Sequence, residues 1–418
     1  MSFYQILLMV GSGASVLVPS ANGATIPSET QLVDNNLDVW TVSAGVVYKN
    51  GSAAGYSANV VLLLWWNDVI YQENSDTGWW YWDGADWVET VTPIATDIAV
   101  PSVSSPFVQI YPWDSGFGTK WTNPATLPND TMSGAAFSPA GSAVAVAGAY
   151  STKFVYAYPW SGSGFGTKYA DPATLPSGAG TIAFTPAGTT LFAGGATSPY
   201  IYAYPWSGSG WGTKYANPAS LPSGEATCIA CYNDYVFMSN YTSPYVTAYP
   251  WVAGTGFGTK VSDPGSILNP GVARGIAYFN GDVLVSSYGS IRTYSWSGSA
   301  WGSLYAAPAT PPSGNTCRGV AFASNGAACA VATDATPYIY AYDYTIGTGF
   351  GSKYSNPGTL PAGVGYGVKF SGSSDISVGH ATSPYISNYP WTTVSGFGSK
   401  YANPGTAVGG TSYRMAFK

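Results

Sequence analysis

The chain has one histidine, His380, in the segment SVGHATSP, and histidine is the side chain best suited to general base catalysis at neutral pH. In serine hydrolases the histidine needs a nucleophile beside it and a carboxylate that orients its ring. The residues around His380 do not show that arrangement. The sequence therefore favours a structural role for His380, and it predicts no catalytic residue.

Cysteine offers a second kind of chemistry, because two cysteines three residues apart form half of a zinc site. Cys228 and Cys231 have this spacing in TCIACY, but no second pair and no histidine completes the ligand set. The four cysteines also do not occupy equivalent repeat positions, which argues against a disulfide framework. We expect neither a metal nor a cofactor. A calcium site at Asp83 and Asp86 is the alternative, although further oxygen ligands are missing.

Lysine recurs at one position of an internal repeat, and two roles are open for it. The ring of cations could hold an anionic polysaccharide, or each lysine could protect an exposed strand edge from pairing with other chains. The second role is favoured, and the six lysines are kept as candidate binding residues: Lys120, Lys168, Lys214, Lys260, Lys353 and Lys400. The chain has a net charge of -6 and no basic stripe, so nucleic-acid binding through phosphates is not expected.

Tryptophan is concentrated in two short segments, LLLWWND (62–68) and GWWYWDGADW (78–87). Alternation along a strand cannot place all of these rings on one buried face, and flat exposed rings suit sugars or protein partners. Packing in the core remains the alternative. The candidate binding residues here are Trp65, Trp66, Trp79, Trp80 and Trp82.

The elements that would position these residues come from a repeat built on two aromatics around a central residue. The repeat recurs every 45 to 48 residues, at Tyr111-Pro112-Trp113, Tyr158-Pro159-Trp160, Tyr204-Pro205-Trp206, Tyr249-Pro250-Trp251, Tyr294-Ser295-Trp296, Tyr342-Asp343-Tyr344 and Tyr389-Pro390-Trp391. A period in the forties with only strand-like segments is typical of a β-propeller blade. One full unit predicts four strands, over 180–188, 190–196, 200–206 and 212–216.

The seventh unit is split between the two ends of the repeat region. The C-terminal TSYRMAFK (411–418) matches only a first strand, whereas residues 96–113 match the later strands of the other units. The sequence therefore predicts a seven-bladed, all-β propeller over 93–418, closed by pairing of the C-terminal strand with residues 96–113. Closure removes exposed strand edges.

The residues before the repeats have a different pattern. Residues 33–92 predict a small all-β attachment domain with tight turns, and residues 1–32 predict an N-terminal anchoring tail. The first residues are apolar but lack the positive segment of a signal peptide, and their apolar runs are too short for membrane insertion. Only 8% of the chain is charged, against about 25% in an average soluble domain.

The segment AFSPAGSAVAVAGAYSTKFVYAYPWSGSGFGTKYADPATLP (136–176) resembles WD-repeat propellers without their Gly-His and Trp-Asp pairs. It is most similar to a WD-repeat-like seven-bladed family common in bacteriophage structural proteins of tails and appendages. Residues 33–92 resemble small modules of secreted carbohydrate-active enzymes and phage tail proteins. The resemblance implies attachment or glycan contact and no chemistry.

We therefore expect a non-enzymatic bacteriophage virion structural protein (tail, fibre or capsid appendage), present in several copies on the particle surface. Its N-terminal region would contact other virion proteins, and its propeller would bind a host-surface polysaccharide or another virion protein. An extracellular bacterial lectin-like adhesion protein is the alternative. A propeller lyase or glycosidase would need inward-facing acids or a metal set, which the repeats do not show.

Overall fold

The computed structural model describes residues 17–20, 24–27, 29–66, 69–76, 78–90, 97–114, 116–148, 154–178, 180–232, 234–265, 271–314, 316–372 and 374–418. The chain divides into two compact units, Met1–Ile94 and Ala95–Lys418. The described residues of both units form β-strands joined by turns and irregular segments, with no helix among them. The expected all-β class is confirmed, and these residues accordingly include no helix able to cross a bilayer. Most of the predicted tail over 1–32 lies outside the described residues.

The first unit consists of two antiparallel sheets. One contains β2 (Leu32–Val33), β3 (Val39–Ser43), β4 (Val46–Lys49) and β5 (Ser52–Ala53), and the other contains β1 (Thr25–Ile26), β6 (Val60–Trp66), β7 (Val69–Asn74), β8 (Trp79–Trp82) and β9 (Trp87–Thr90). Two-residue turns join β3 to β4 and β4 to β5, and both turn residues have positive φ in Ala44-Gly45 and in Asn50-Gly51. Such turns match the twist of the strands they join. The buried core of this unit lies between the sheets, around Trp40 and Trp65.

The described residues of the second unit form seven antiparallel sheets, numbered here by order along the chain. Sheet 7 combines strands from the two ends of the unit: β10 (Asp97–Pro101), β11 (Val108–Pro112) and the C-terminal β34 (Ala416–Phe417). In this sheet Ile98 lies opposite Phe417, and Ala99 lies opposite Ala416.

Each of the other sheets is a simple up-and-down arrangement of consecutive strands. Sheet 1 contains β12 (Gly134–Phe137), β13 (Ala143–Ala147) and β14 (Val155–Pro159); sheet 2 contains β15 (Ile182–Phe184), β16 (Thr190–Gly194) and β17 (Ile201–Pro205); sheet 3 contains β18 (Ala226–Tyr232), β19 (Tyr235–Asn240), β20 (Val246–Val252) and β21 (Gly256–Phe257); sheet 4 contains β22 (Gly275–Phe279), β23 (Asp282–Ser287), β24 (Ser290–Trp296) and β25 (Trp301–Leu304); sheet 5 contains β26 (Cys317–Phe322), β27 (Ala328–Thr333), β28 (Ile339–Thr345) and β29 (Gly349–Lys353); sheet 6 contains β30 (Gly365–Ser371), β31 (Asp375–His380), β32 (Ile386–Thr392) and β33 (Gly396–Phe397).

The first strand of each sheet contacts the first strand of the next. These inner strands are β12, β15, β18, β22, β26, β30 and, for sheet 7, β34. The strand β30 contacts β34, and β34 contacts β12. The backbone N–H of Arg414, just before β34, donates to the carbonyl of Ser133, and the N–H of Ala135 donates to the carbonyl of Arg414.

Neighbouring sheets pack aromatic side chains against small ones. Tyr204 and Trp206 of sheet 2 are buried in one cluster with Ala143, Ala145 and Ala147 of sheet 1. Each buried aromatic ring removes about 150–250 Å² from water, so this contact, repeated from sheet to sheet, is a large source of stability. The repeated Tyr-Pro-Trp motif is the sequence signature of this packing.

The predicted fourth strand at 212–216 is wrong. In sheet 2 only a single bridge between Trp206 and Trp211 replaces it, and sheets 1 and 7 likewise have one bridge each. The reason is the motif proline: the carbonyl of Pro205 accepts from Gly212, but Pro205 has no N–H to donate in return. Where Ser295 or Asp343 replaces this proline, the fourth strand is four or five residues long, against two in sheets 3 and 6.

Candidate functional site

A cavity of about 160 Å³ lies at one end of the inner strands, and all seven sheets contribute to its wall. We name it the axial cavity and define it by its lining residues: Thr131, Ser133, Gly180, Glu225, Ala226, Thr227, Arg274, Arg318, Tyr366, Tyr413 and Arg414. Most of these residues lie at or just before the start of an inner strand. Ligand pockets for drug-sized molecules have volumes of about 300–1,000 Å³, so this cavity suits a smaller molecule.

Three of the four arginines of the chain line the axial cavity. Arg414 Nη2 donates to the carbonyl of Arg274 at 2.9 Å, and Arg274 Nη2 donates to the hydroxyl of Tyr288 at 3.0 Å. The guanidinium of Arg318 lies 4.5 Å from the ring centroid of Tyr366, a cation–π contact. These contacts fix the three guanidinium groups, which supply directional donors for carboxylate or phosphate oxygens.

The arginines retain unused hydrogen-bonding capacity. The Nε atoms of Arg274, Arg318 and Arg414 are buried, and none has a hydrogen-bond partner among the described residues. Burial lowers the pKa of Arg318, and the nearby charge on Arg274 adds to this effect. An anion bound between the arginines would accept hydrogen bonds from these Nε atoms and would offset the repulsion between Arg274 and Arg318.

Glu225 is the single glutamate of Ala95–Lys418, and it lies at the edge of the axial cavity. Desolvation raises the pKa of its carboxyl group, and the charge on Arg274 acts in the opposite direction. A carboxylate with a raised pKa is a stronger base than a free one. The cavity therefore combines one candidate general base with three anion-stabilising groups.

The six repeated lysines are each engaged within their own repeat. For Lys120, Lys214 and Lys353, Nζ donates to the next residue's carbonyl at 2.9 Å and to an asparagine Oδ1 three residues on at 2.6 Å. Lys168 and Lys400 make the same two contacts, with Asp171 and Asn403 as side-chain partners. Lys260 pairs with Asp263 at 2.6 Å. Each lysine therefore holds the segment that follows the fourth-strand position of its repeat, as Lys353 does at the end of β29 (Gly349–Lys353). Contact of the lysines with a glycan stays a prediction.

The tryptophans of the first unit have mixed environments. Trp65 is only 4% exposed and packs in the core. Trp79, Trp80 and Trp82 are partly buried, and Trp82 contacts the ring of Trp40 edge-on with centroids 5.5 Å apart. Trp66 ends β6, and its side chain lies outside the described residues. A binding role for these residues stays a prediction, and for Trp65 a core role accounts for the burial.

His380 is fully buried in β31, and its Nε2 lies 3.0 Å from the hydroxyl oxygen of Ser387. Desolvation lowers the pKa of His380 to about 4, which keeps the ring neutral at physiological pH. His380 does not line the axial cavity.

The four cysteines are free thiols.

Sequence reasoning missed Glu225, Arg274, Arg318 and Arg414. The signal was present, because three of only four arginines fall beside the starts of inner strands. Arg274 and Arg318 occupy a repeat position held elsewhere by Ser133, Gly180 or Thr227, and Arg414 lies one position later, where it pairs with Gly134. The repeat pattern consists of the residues that the units share, whereas this site consists of residues that differ between the units.

No family model and no curated protein matches this chain. Among solved structures, it is similar to a putative 6-phosphogluconolactonase from Bacteroides uniformis, with 10% identity, a TM-score of 0.60, and coverage of 77% of this chain and 99% of that chain. A putative 6-phosphogluconolactonase from Bacteroides fragilis shows 9% identity, a TM-score of 0.59, and coverage of 77% and 97%. The periplasmic gluconolactonase of Pseudomonas aeruginosa shows 14% identity, a TM-score of 0.56, and coverage of 77% and 98%. The chain thus has a propeller-type fold.

These neighbours overturn the expected function. The chain was expected to be a non-enzymatic phage virion protein or a lectin-like adhesion protein, but none of the three structures is a phage protein or a lectin, and all carry the names of lactonases. The expectation that the chain is not an enzyme is corrected on the same ground. The physical reason is that the aromatic repeat builds contacts between sheets, which specify a fold and not a virion role. The expected partners and location are not tested by these structures.

Proposed function

We propose that the axial cavity is the active site of a hydrolase that opens small sugar-acid lactones. The observation that carries this proposal is the convergence of Glu225 with Arg274, Arg318 and Arg414 in one cavity at the end of the inner strands. The names of the fold neighbours supply the reaction class.

The proposal includes a closed seven-bladed propeller over 93–418, preceded by a small all-β domain over 33–92. Closure is supported by the pairing of β34 with β10 and by the backbone hydrogen bonds between Arg414 and sheet 1. A hydrophobic cluster that contains Val100, Ile386 and Met415 joins sheets 6 and 7. Closure fixes the cavity, because side chains from all seven sheets then surround one axis.

The reaction follows from the chemistry of these groups. Glu225 takes a proton from water, and the water oxygen forms a bond to the lactone carbonyl carbon. The arginines stabilise the negative charge that develops on the carbonyl oxygen, as preorganised donors do in other acyl transfers. The ring C–O bond then breaks, and Glu225 passes its proton to the leaving oxygen. The second proton of the water leaves the new carboxyl group for solvent, so the product is an open-chain hydroxy acid whose carboxylate remains paired with guanidinium groups.

The experiment is a direct assay of lactone opening by proton release in weak buffer, with glucono-1,5-lactone and its 6-phosphate as substrates. We expect a rate above the spontaneous one, and we expect Glu225→Gln to lower kcat by about 100-fold to 10,000-fold. Glu89→Gln in the first unit is the matched control, since Glu89 is exposed and does not line the axial cavity. Opening at the spontaneous rate with both lactones would contradict the proposal.

A further inference from the structure

One position of the inner strands carries lysine in sheet 6 and alanine in each of the other six sheets. Each of these residues lies opposite the third residue of the second strand of its sheet, so the positions are structurally equivalent. The six alanines are Ala136, Ala183, Ala230, Ala277, Ala321 and Ala416, and the exception is Lys369 in sheet 6. Six alanines show that the fold does not need a lysine here.

Lys369 is exposed, whereas its neighbours on β30, Val368 and Phe370, are buried. The surrounding protein nevertheless lowers the pKa of Lys369 by desolvation. Its ammonium group lies within electrostatic range of Cys228, on the inner strand of sheet 3. Sheets 3 and 6 lie three sheets apart along the series, so the ammonium group lies near the axis.

The charge of Lys369 has no ion-pair partner in the part of the chain that the structure describes. The lining of the axial cavity combines Arg274, Arg318 and Arg414 with one carboxylate, Glu225, and Asp334 is close enough to Arg318 for their charges to interact. Lys369 adds a fourth cation on the inner strand β30. Cationic groups concentrated in a cleft with uncharged walls attract anionic ligands.

The distance between the axial cavity, with its arginines, and Lys369 suits a small molecule. Tyr366 lines the axial cavity, and Lys369 follows it by three residues on the same inner strand, β30. At about 3.3 Å per residue, the two backbone positions are about 10 Å apart, and the lysine side chain can shorten the gap. A six-carbon chain with an acidic group at each end spans such a distance.

We propose that Lys369 binds a second acidic group of the ligand, at the end opposite the carboxyl group held by the arginines. The substrate class is then a lactone that itself carries a carboxylate or phosphate group, and the product is a diacid. This inference rests on the proposed function for the ligand and for the orientation of its carbonyl end.

Three sugar acids with the same six-carbon chain test the inference by calorimetric titration of the full chain. Gluconate has one acidic group, glucarate has two carboxylates, and 6-phosphogluconate has a carboxylate and a phosphate. We expect at least one of the two diacids to bind at least tenfold more tightly than gluconate, and the preferred diacid identifies the second group. Equal affinity for all three, or no binding of any, would overturn the inference.

Two substitutions place the effect on Lys369. Lys369→Ala restores the residue of the other six sheets and should bind all three acids equally, whereas Lys369→Arg should keep the preference. A preference that survives Lys369→Ala, with the variant folded by circular dichroism, would overturn the inference. Binding is measured without turnover, so the two proposals can fail separately. Lactone opening without a diacid preference refutes only the role of Lys369, and a Lys369-dependent preference without lactone opening refutes only the hydrolase.

Discussion

The indole Nε1 of Trp160, in sheet 1, donates a hydrogen bond to Oδ2 of Asp97, in sheet 7, at 3.0 Å. The other oxygen of Asp97 accepts from Trp121 Nε1 at 2.8 Å. Both indoles depend on one carboxylate that is only 1% exposed. This arrangement joins the first part of the repeat region to the sheet that contains the C-terminal strand.

Replacement of Asp97 should therefore destabilise the protein strongly. Asp97→Ala leaves two indole N–H groups without an acceptor, and each buried unpaired donor costs about 1–3 kcal/mol. We expect the free energy of unfolding, measured by urea titration, to fall by about 2–6 kcal/mol. Asp114→Ala, at an exposed position, is the control. A loss below 1 kcal/mol for Asp97→Ala would show that the two hydrogen bonds contribute little.

The same arrangement recurs at Asp282 and Asp375, which begin the second strands of sheets 4 and 6. Asp282 accepts from the hydroxyls of Tyr305 and Tyr344 at 2.9 Å, and Asp375 accepts from Tyr401 at 2.7 Å. In sheet 2 the equivalent residue is Thr190, whose hydroxyl has no partner, and Trp251 Nε1 on sheet 3 is also unpartnered among the described residues. The carboxylate between sheets is thus an addition to the repeat and not part of its basic plan.

The stability of the protein should depend on pH through His380. Its pKa is lowered to about 4 in the folded state, against about 6.5 in the unfolded chain, so the unfolded state binds the proton more tightly. Stability is then lost as the pH falls from 7 towards 4, by about 2 kcal/mol between pH 7 and pH 5. His380→Gln should lose about 2 kcal/mol less than the natural protein over that interval in urea titrations. Asp375, whose pKa burial raises, acts with the opposite sign in both proteins and cancels in the comparison. Parallel losses would contradict the prediction.

The motif proline should control the length of the fourth strand. Ser295→Pro in sheet 4 removes the backbone donor that faces β25 (Trp301–Leu304), so the pairing of β25 should shorten to that of sheets 3 and 6. We expect faster amide hydrogen exchange over 301–304, with little change in the free energy of unfolding. Pro250→Ser in sheet 3 is the reciprocal test and should slow exchange after Phe257. Unchanged exchange in both variants would refute the explanation.

The arginines of the axial cavity should contribute to ligand affinity individually. Arg318→Met removes charge-assisted hydrogen bonds, each worth about 1.5–3 kcal/mol, so the affinity for gluconate should fall by about tenfold to 100-fold. Arg292→Met is the matched control, since Arg292 is the one arginine that does not line the cavity. Equal effects of the two substitutions in the same titration would show that binding does not involve the cavity.

The sequence was sufficient for the fold class because aromatic side chains between sheets must recur once in every unit. The regular recurrence of the motif that contains Tyr158 and Trp160 therefore indicated one sheet in each repeat. The fourth strands were misplaced because the missing N–H of Pro205 was overlooked in favour of the strand-like residues that follow it. The lysines were interpreted as a surface feature because a hydrogen bond from Lys353 to Asn356 is a local turn contact that spacing alone does not identify.

The candidate site could not be derived from the repeat, for a physical reason. Residues that face a common axis contribute one side chain per sheet, so a site needs different residues at equivalent positions, such as Arg274, Arg318 and Tyr366. A pattern defined by the residues that the units share does not contain these differences. Only comparison of the units with one another, position by position, separates the exceptions from the scaffold, and Lys369 is the clearest of these exceptions.

The most direct test of the account is a crystal structure of the full chain soaked with 6-phosphogluconate, the open-chain acid that lactone opening would produce. The account predicts density in the axial cavity, with a carboxylate within 3.2 Å of guanidinium nitrogens of Arg274, Arg318 or Arg414, about the upper limit for a hydrogen bond. Density only at other surfaces, or an unaltered cavity at saturating ligand, would contradict it.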